Sequence, residues 1–169
     1  MESAVQTKAQ QQERARLPRG PVVIDVAGLA LDDAERARLR HPLVGGVILF
    51  ARNFESRKQV ARLCDEIHAL RRPKLLICVD HEGGRVQRFR QGFTAVPPMG
   101  ELGRLWDEDV LGACRRATEV GQIIGRELRE VGVDLSFTPV LDLDWGRSCL
   151  LYTSPSPRDR TRYRMPASA

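Results

Sequence analysis

Apolar residues along this chain fall into two arrangements: short runs, and longer stretches in which they return every three or four positions. The short runs lie at 21–26 (PVVIDV), 47–50, 75–79 and 135–137. The third, LLICV, has no polar alternation, the pattern of a strand buried on both faces of a parallel sheet. Helical patterns separate the runs. Asp32 with Glu35 forms a capping-box signature for a short helix that must end before Pro42. Ser56 with Gln59 repeats it, and Val60, Leu63, Cys64, Ile67 and Leu70 follow at helical spacing until Arg71-Arg72-Pro73. Val110, Leu111, Cys114, Ala117, Val120, Ile124, Leu128 and Val131 predict a helix of about six turns, with Gly132 as its C-terminal cap. Gly45 and Gly46 read as the lead into the second strand, and residues 80–98 as one long loop.

Four strands separated by helices imply right-handed βαβ units and a parallel sheet, closed as a barrel or open and doubly wound. No G-x-G-x-x-G follows the first strand and no P-loop pattern occurs, so nucleotide-binding folds lack their diagnostic loop. Polar residues end three successive strands: Arg52/Asn53, Asp80/Glu82 and Asp142/Asp144. A barrel gathers such groups around one mouth, which favours a (β/α)8 architecture. A chain of 169 residues is short of the roughly 250 that such a barrel needs. The expected fold is therefore α/β, the first half of a (β/α)8 barrel with about four βα units. Such a half would leave two sheet edges and several apolar faces uncovered, with poor solubility as the consequence.

The densest chemistry follows the third run, where Asp80, His81, Glu82, Gly83, Gly84, Arg85, Gln87 and Arg88 fall within nine residues. Burying them unpaired would be costly, so they belong at a rim. The string DHEGGRVQRF with Gly92, Phe93, Thr94 and Pro97 resembles the signature of bacterial N-acetyl-β-glucosaminidases of glycoside hydrolase family 3. GGVILFARN (45–53) looks like the strand-two segment of that family and SFTPVLDLDWGRS (136–148) like its strand-four segment.

The resemblance implies a (β/α)8 barrel that removes terminal, non-reducing N-acetyl-β-glucosamine from cell-wall (peptidoglycan) fragments by a retaining mechanism, with no metal or other cofactor. By motif position Asp80 matches the carboxylate that grips sugar hydroxyls, and Arg88 a second substrate-binding side chain. The alternative for Asp80 is an ion pair with Arg88 or Arg85 that only fixes the loop. Arg52, Asn53, His81, Glu82, Arg85, Asp142 and Asp144 are supporting candidates, and Trp145 is read as packing. Glycoside hydrolysis needs an acid and a second carboxylate or base. In the family these are a histidine in a KHFPGHG-type loop and an aspartate at a late strand, and neither segment is present. His41, His68 and His81 lie in other contexts, so no catalytic residue is assigned. The expected partner is a small carbohydrate, an N-acetylglucosamine-containing muropeptide or chitooligosaccharide. The reading set against enzyme activity is an inactive sugar-binding or interaction fragment.

A net charge of +5 raises a nucleic-acid reading, but residues 1–19 and 149–169 carry +2 and +3 and leave 20–148 neutral. A basic balance made by two polar ends is not a binding face, so no nucleic-acid partner is expected. Residues 1–19 read as a disordered polar extension without an apolar signal region. No apolar run is long enough to cross a membrane. Cys64, Cys78, Cys114 and Cys149 show no metal-ligand spacing and read as buried reduced thiols, which suits a cytoplasmic protein. The family pattern stops near Ser148. Residues 149–169 (CLLYTSPSPRDRTRYRMPASA) shift abruptly to Ser, Pro and Arg, and read as an unstructured tail foreign to the gene.

Overall fold

The computed structural model describes residues 19–140. The N-terminal extension, Asp142, Asp144, Trp145, Cys149 and the C-terminal tail lie outside them. In chain order the elements are β1 (Val22–Asp25), α1 (Asp33–Leu39), β2 (Val44–Leu49), α2 (Arg57–Ala69), β3 (Leu76–Val79), β4 (His81–Gly83), β5 (Val86–Gln87), α3 (Met99–Glu108), α4 (Val110–Glu130) and β6 (Leu135–Ser136). The described chain divides into two compact units, residues 19–79 with 127–135, and residues 80–126 with 136–140.

The first unit holds a parallel sheet. β1 pairs with β2 and β2 with β3, with Val47 opposite Ile77 and Leu49 opposite Val79. The order of the four-stranded sheet is β1-β2-β3-β6. Its core joins the apolar runs to residues of the first two helices: Val26, Leu39, Val47, Leu49, Val60, Leu63, Cys64, Ile67, Leu75, Ile77 and Val79 are all buried. Strand β2 begins three residues earlier than its apolar run, so Gly45 and Gly46 lie inside it rather than before it. The reason is steric. A Cβ on Gly45 would meet the Gly20 carbonyl oxygen at 2.0 Å, and one on Gly46 the Leu76 carbonyl oxygen at 2.9 Å. Close strand approach selects glycine here although glycine is a poor strand former.

Helix α1 starts as its signature requires. The Asp32 carboxylate accepts from Glu35 N at 2.7 Å, and Glu35 Oε2 accepts from Asp32 N at 3.1 Å. Glu35 Oε1 also accepts from Ala27 N at 2.7 Å, so the same cap fastens the turn after β1. Helix α2 keeps only half of the expected box. Ser56 Oγ accepts from Gln59 N, but Gln59 Oε1 reaches one residue further back, to Glu55 N at 2.9 Å. Its amide nitrogen donates to Leu29 O at 2.8 Å and Asn53 O at 3.1 Å. Gln59 thus serves the loops more than the cap. At the other end Gly132 has φ +87°. Val133 N donates to Leu128 O at 3.0 Å and Gly132 N to Arg129 O at 3.1 Å, the paired bonds of a Schellman cap.

The second unit departs further from the sequence pattern. The expected long loop contains an antiparallel hairpin, β4 with β5, and is followed at once by helix α3, which the apolar pattern does not announce. Helix α4 forms as predicted, but only part of its stripe is covered. Ala113, Val120, Ile124 and Leu128 are buried, whereas Val110 and Leu111 are exposed, Leu111 by 69%. Cys114 is exposed too, against the expectation of a buried thiol, while Cys64 and Cys78 are buried. Periodicity fixes which face of a helix is apolar; it does not fix what lies against that face.

Candidate functional site

The DHEGG segment follows β3 without a break, since Asp80 is the residue after Val79. Two glycines make its hairpin possible. Gly83 and Gly84 have φ +91° and +57°, conformations that side chains disfavour. They also admit the returning chain, since a Cβ on Gly83 would meet the Pro97 carbonyl oxygen at 2.3 Å and one on Gly84 the Pro98 Cβ at 2.9 Å. Gly84 N donates to Val96 O at 2.8 Å, which holds that chain against the turn.

The hairpin register places the charged pair. His81 is directly opposite Gln87, with an irregularity between His81 and Gly83. One step outward lie Asp80 and Arg88, cross-strand neighbours with side chains on the opposite face from His81 and Gln87. Arg88 Nη2 donates to Asp80 Oδ2 at 3.2 Å, with the side chains 16% and 14% exposed. The inner face is closed. His81 is buried, its ring 5.9 Å from Phe89 and 5.6 Å from Phe93, centroid to centroid. Its carbonyl accepts from Thr138 Oγ1 at 3.0 Å and Ser136 Oγ at 3.3 Å, tying residues 136–138 to the hairpin.

Gln87, which the sequence does not single out as a site residue, is buried beside His81. Its Nε2 donates to Phe89 O at 3.2 Å and Thr94 O at 3.0 Å, and its Oε1 accepts from Val96 N at 3.1 Å. A buried glutamine in a two-residue strand leaves no periodic mark. Its only signal is that an amide, and no other side chain type, both donates twice and accepts at one point.

The remaining candidates separate. Glu82 is half-buried on β4, and Arg85 stands exposed in the turn, its carbonyl accepting from Arg90. The carboxylate of Asp80 pairs with Arg88, the first of its two expected partners. In the first unit, Arg52 pairs with Asp25 at the end of β1, donates to Val26 O at 3.2 Å, and lies 4.7 Å from the Phe50 ring centroid. Asn53 is fully buried. Its amide donates to Val26 O at 3.0 Å and Gly28 O at 2.8 Å and accepts from Phe50 N at 2.9 Å, which commits it to fixing the loop after β1. Asp142 and Asp144 lie outside the described residues. Among the described residues no group of three His, Cys, Asp or Glu side chains is arranged to hold a metal ion.

An ionised carboxylate beside a guanidinium, on a face with partial access to water, is suited to a polyhydroxylated ligand. The carboxylate offers about four lone-pair sites to hydroxyl donors, and the guanidinium offers donors to ring or carbonyl oxygens.

Comparison with known proteins supplies the family. Residues 6–149 match the family described as the glycosyl hydrolase family 3 N terminal domain. The beta-hexosaminidase of Bordetella pertussis is 65% identical over 133 residues, which are 78% of this chain and 38% of that protein. The beta-hexosaminidase of Chromobacterium violaceum is 59% identical over 143 residues, 85% of this chain and 40% of its own length. Among solved structures, NagZ from Neisseria gonorrhoeae in complex with N-trifluoroacetyl-D-glucosamine superposes with a TM-score of 0.75 and 54% identity, over 77% of this chain and 38% of that one. A glycoside hydrolase family 3 beta-N-acetylglucosaminidase from Paenibacillus superposes with a TM-score of 0.65 at 35% identity. The chain thus spans about two-fifths of the curated relatives it matches. Its four parallel strands are a partial (β/α) barrel.

Proposed function

Because the chain belongs to the glycosyl hydrolase family 3 N-terminal domain family, we propose that it is the sugar-holding portion of a β-N-acetylglucosaminidase. The substrate class is a terminal, non-reducing N-acetyl-β-D-glucosamine on a cell-wall fragment, and the mechanism is retaining. Asp80 accepts from sugar hydroxyls and Arg88 donates to a sugar oxygen. The nucleophile and the acid/base that complete the reaction come from outside residues 19–140.

The observation that carries this reading is the cross-strand Asp80–Arg88 pair on the more open face of the hairpin. An ion pair that only fixed the loop would be redundant here. The opposite face already anchors it through Gln87, the His81 carbonyl and the Gly84–Val96 bond. For a pair as little exposed as this one, the cost of taking both charges out of water offsets most of their attraction, so its value lies in what it can bind. The names of the relatives and the N-acylglucosamine ligand of the Neisseria enzyme support the substrate class. The buried thiols of Cys64 and Cys78 suit a reducing, cytoplasmic setting.

A turnover assay with a chromogenic N-acetyl-β-D-glucosaminide tests the division of labour. Residues 1–169 should show none, and a longer protein that continues the barrel past Ser148 should hydrolyse it. Turnover by residues 1–169 alone would refute the division, and inactivity of the longer protein would refute the activity.

The reading of this chain as an inactive interaction fragment draws on one feature, the exposure of Trp106 (52%) and Leu111 (69%) on successive helices. It predicts sugar binding without turnover by any extension of the chain, so the same assay separates the two.

A further inference from the structure

The stretch from Arg88 to Val96 leaves the hairpin and returns to it. Phe93 N donates to Arg90 O at 3.1 Å, and Val96 O accepts from Gly84 N at 2.8 Å. Holding its first residue still means fixing both limbs, at a cost in conformational entropy for each residue fixed. The Gln87 amide occupies its centre. It satisfies the carbonyls of Phe89 and Thr94 and the N–H of Val96, and so takes the place of a missing strand. Those three groups lie on both limbs of the excursion that Arg88 begins.

Resting on the reading that Asp80 and Arg88 hold the sugar, we infer that Gln87 is the positioning residue of this site. Its side-chain hydrogen bonds run to the loop, not to Asp80 or Arg88. It acts through the loop, fixing Arg88 opposite Asp80 before ligand arrives, so that binding does not have to order the loop. The chemistry admits few substitutes. Glutamate keeps the acceptor for Val96 N–H but cannot donate to the two carbonyls, methionine keeps the length and loses every bond, and lysine has no acceptor. Each of these removes at least one of the three bonds by which the amide joins the two limbs.

The test uses the whole chain and reads two quantities by NMR. The first is solvent exchange of the Arg88 side-chain Nη–H groups, one of which donates to Asp80, with no ligand present. The second is the dissociation constant for N-acetyl-D-glucosamine. In Gln87→Met the amides of β1, β2 and β3 should keep their protection while Arg88 exchange rises about tenfold and sugar affinity falls about tenfold, the scale of the hydrogen bonds removed. Unchanged Arg88 exchange in a folded Gln87→Met would overturn the inference. Should that variant lose its cooperative melt, Gln87→Glu replaces it, since it preserves shape and the Val96 bond, and the same two outcomes decide. A wild-type chain with slow Arg88 exchange and no response to the sugar would remove the binding reading alone and leave the hold of Gln87 on the pair standing.

Discussion

Asp80 and Arg88 face one another because they stand one residue beyond the backbone-paired His81 and Gln87. The alternation of a two-stranded ribbon then sends the first couple to the open face and the second to the buried one. A one-residue slip would exchange the faces, burying the charges and exposing the amide and imidazole. The glycine turn and the contacts beneath it set the register, so predictions about the site begin there.

Gly83→Ala should lower the unfolding free energy by about 1–3 kcal/mol from backbone conformation alone. The clash with the Pro97 carbonyl oxygen, 2.3 Å from the added methyl, adds to this. Chemical denaturation measures the loss, and the Arg88 side-chain resonance should shift with it.

Two glycines, one inside the long helix and one at its C-terminal cap, should respond with opposite signs. At Gly132, φ is +87° and a Cβ would lie 2.9 Å from Cys64 Cβ, so alanine breaks the cap and crowds the core. At Gly121, inside α4, nothing lies within 4 Å, and alanine should stabilise by about 0.5–1 kcal/mol. Denaturant midpoints of the two variants check both signs.

Asn53→Ala removes three hydrogen bonds from a fully buried site and leaves the carbonyls of Val26 and Gly28 and the Phe50 N–H without that partner. A loss of about 2–4 kcal/mol is expected from the three bonds removed. Urea titration reads it, with no change in the slope of the transition.

Alkaline pH should weaken the fold through the thiols. Burial, reinforced by Asp134 and Asp65, pushes the Cys64 thiol from 9.0 up to about 12. Cys78 is raised in the same direction by burial and by Asp134. The folded state favours the neutral thiols, so their contribution is complete below about pH 9 and is lost as the pH climbs toward the folded value. Unfolding free energy should therefore fall above about pH 9, and Cys64→Ala should flatten that fall. In the native chain at neutral pH, a thiol reagent should modify exposed Cys114 and spare Cys64 and Cys78.

The parallel sheet was legible because its strands are apolar runs and its first two helices carry side-chain caps. Asp32 with Glu35 behaves as written, and Gly132 ends α4 as its position implies. The hairpin was hidden. HEG and VQ carry no alternation long enough to mark a strand, and their pairing depends on two positive-φ glycines and on the chain returning at Val96 to Pro98. Helix α3 was hidden for a related reason, since Pro98 precedes it with no side-chain cap and Gly100 and Gly103 dilute its apolar pattern. Asp80 and Arg88 could be picked out by motif, but not the amide beneath them. Glutamine at position 87 looks like surface until the loop it fills is known.

The most direct test of the account is titration of the full chain with N-acetyl-D-glucosamine, beside Asp80→Asn, with affinity and thermal stability measured on the same samples. The sugar-holding role predicts saturable binding by the wild-type chain, weakened about tenfold or more by the loss of a charge-assisted acceptor, at temperatures where both proteins are folded. Equal sugar affinity in the two proteins, or a variant whose only defect is a lower melting temperature, would contradict it.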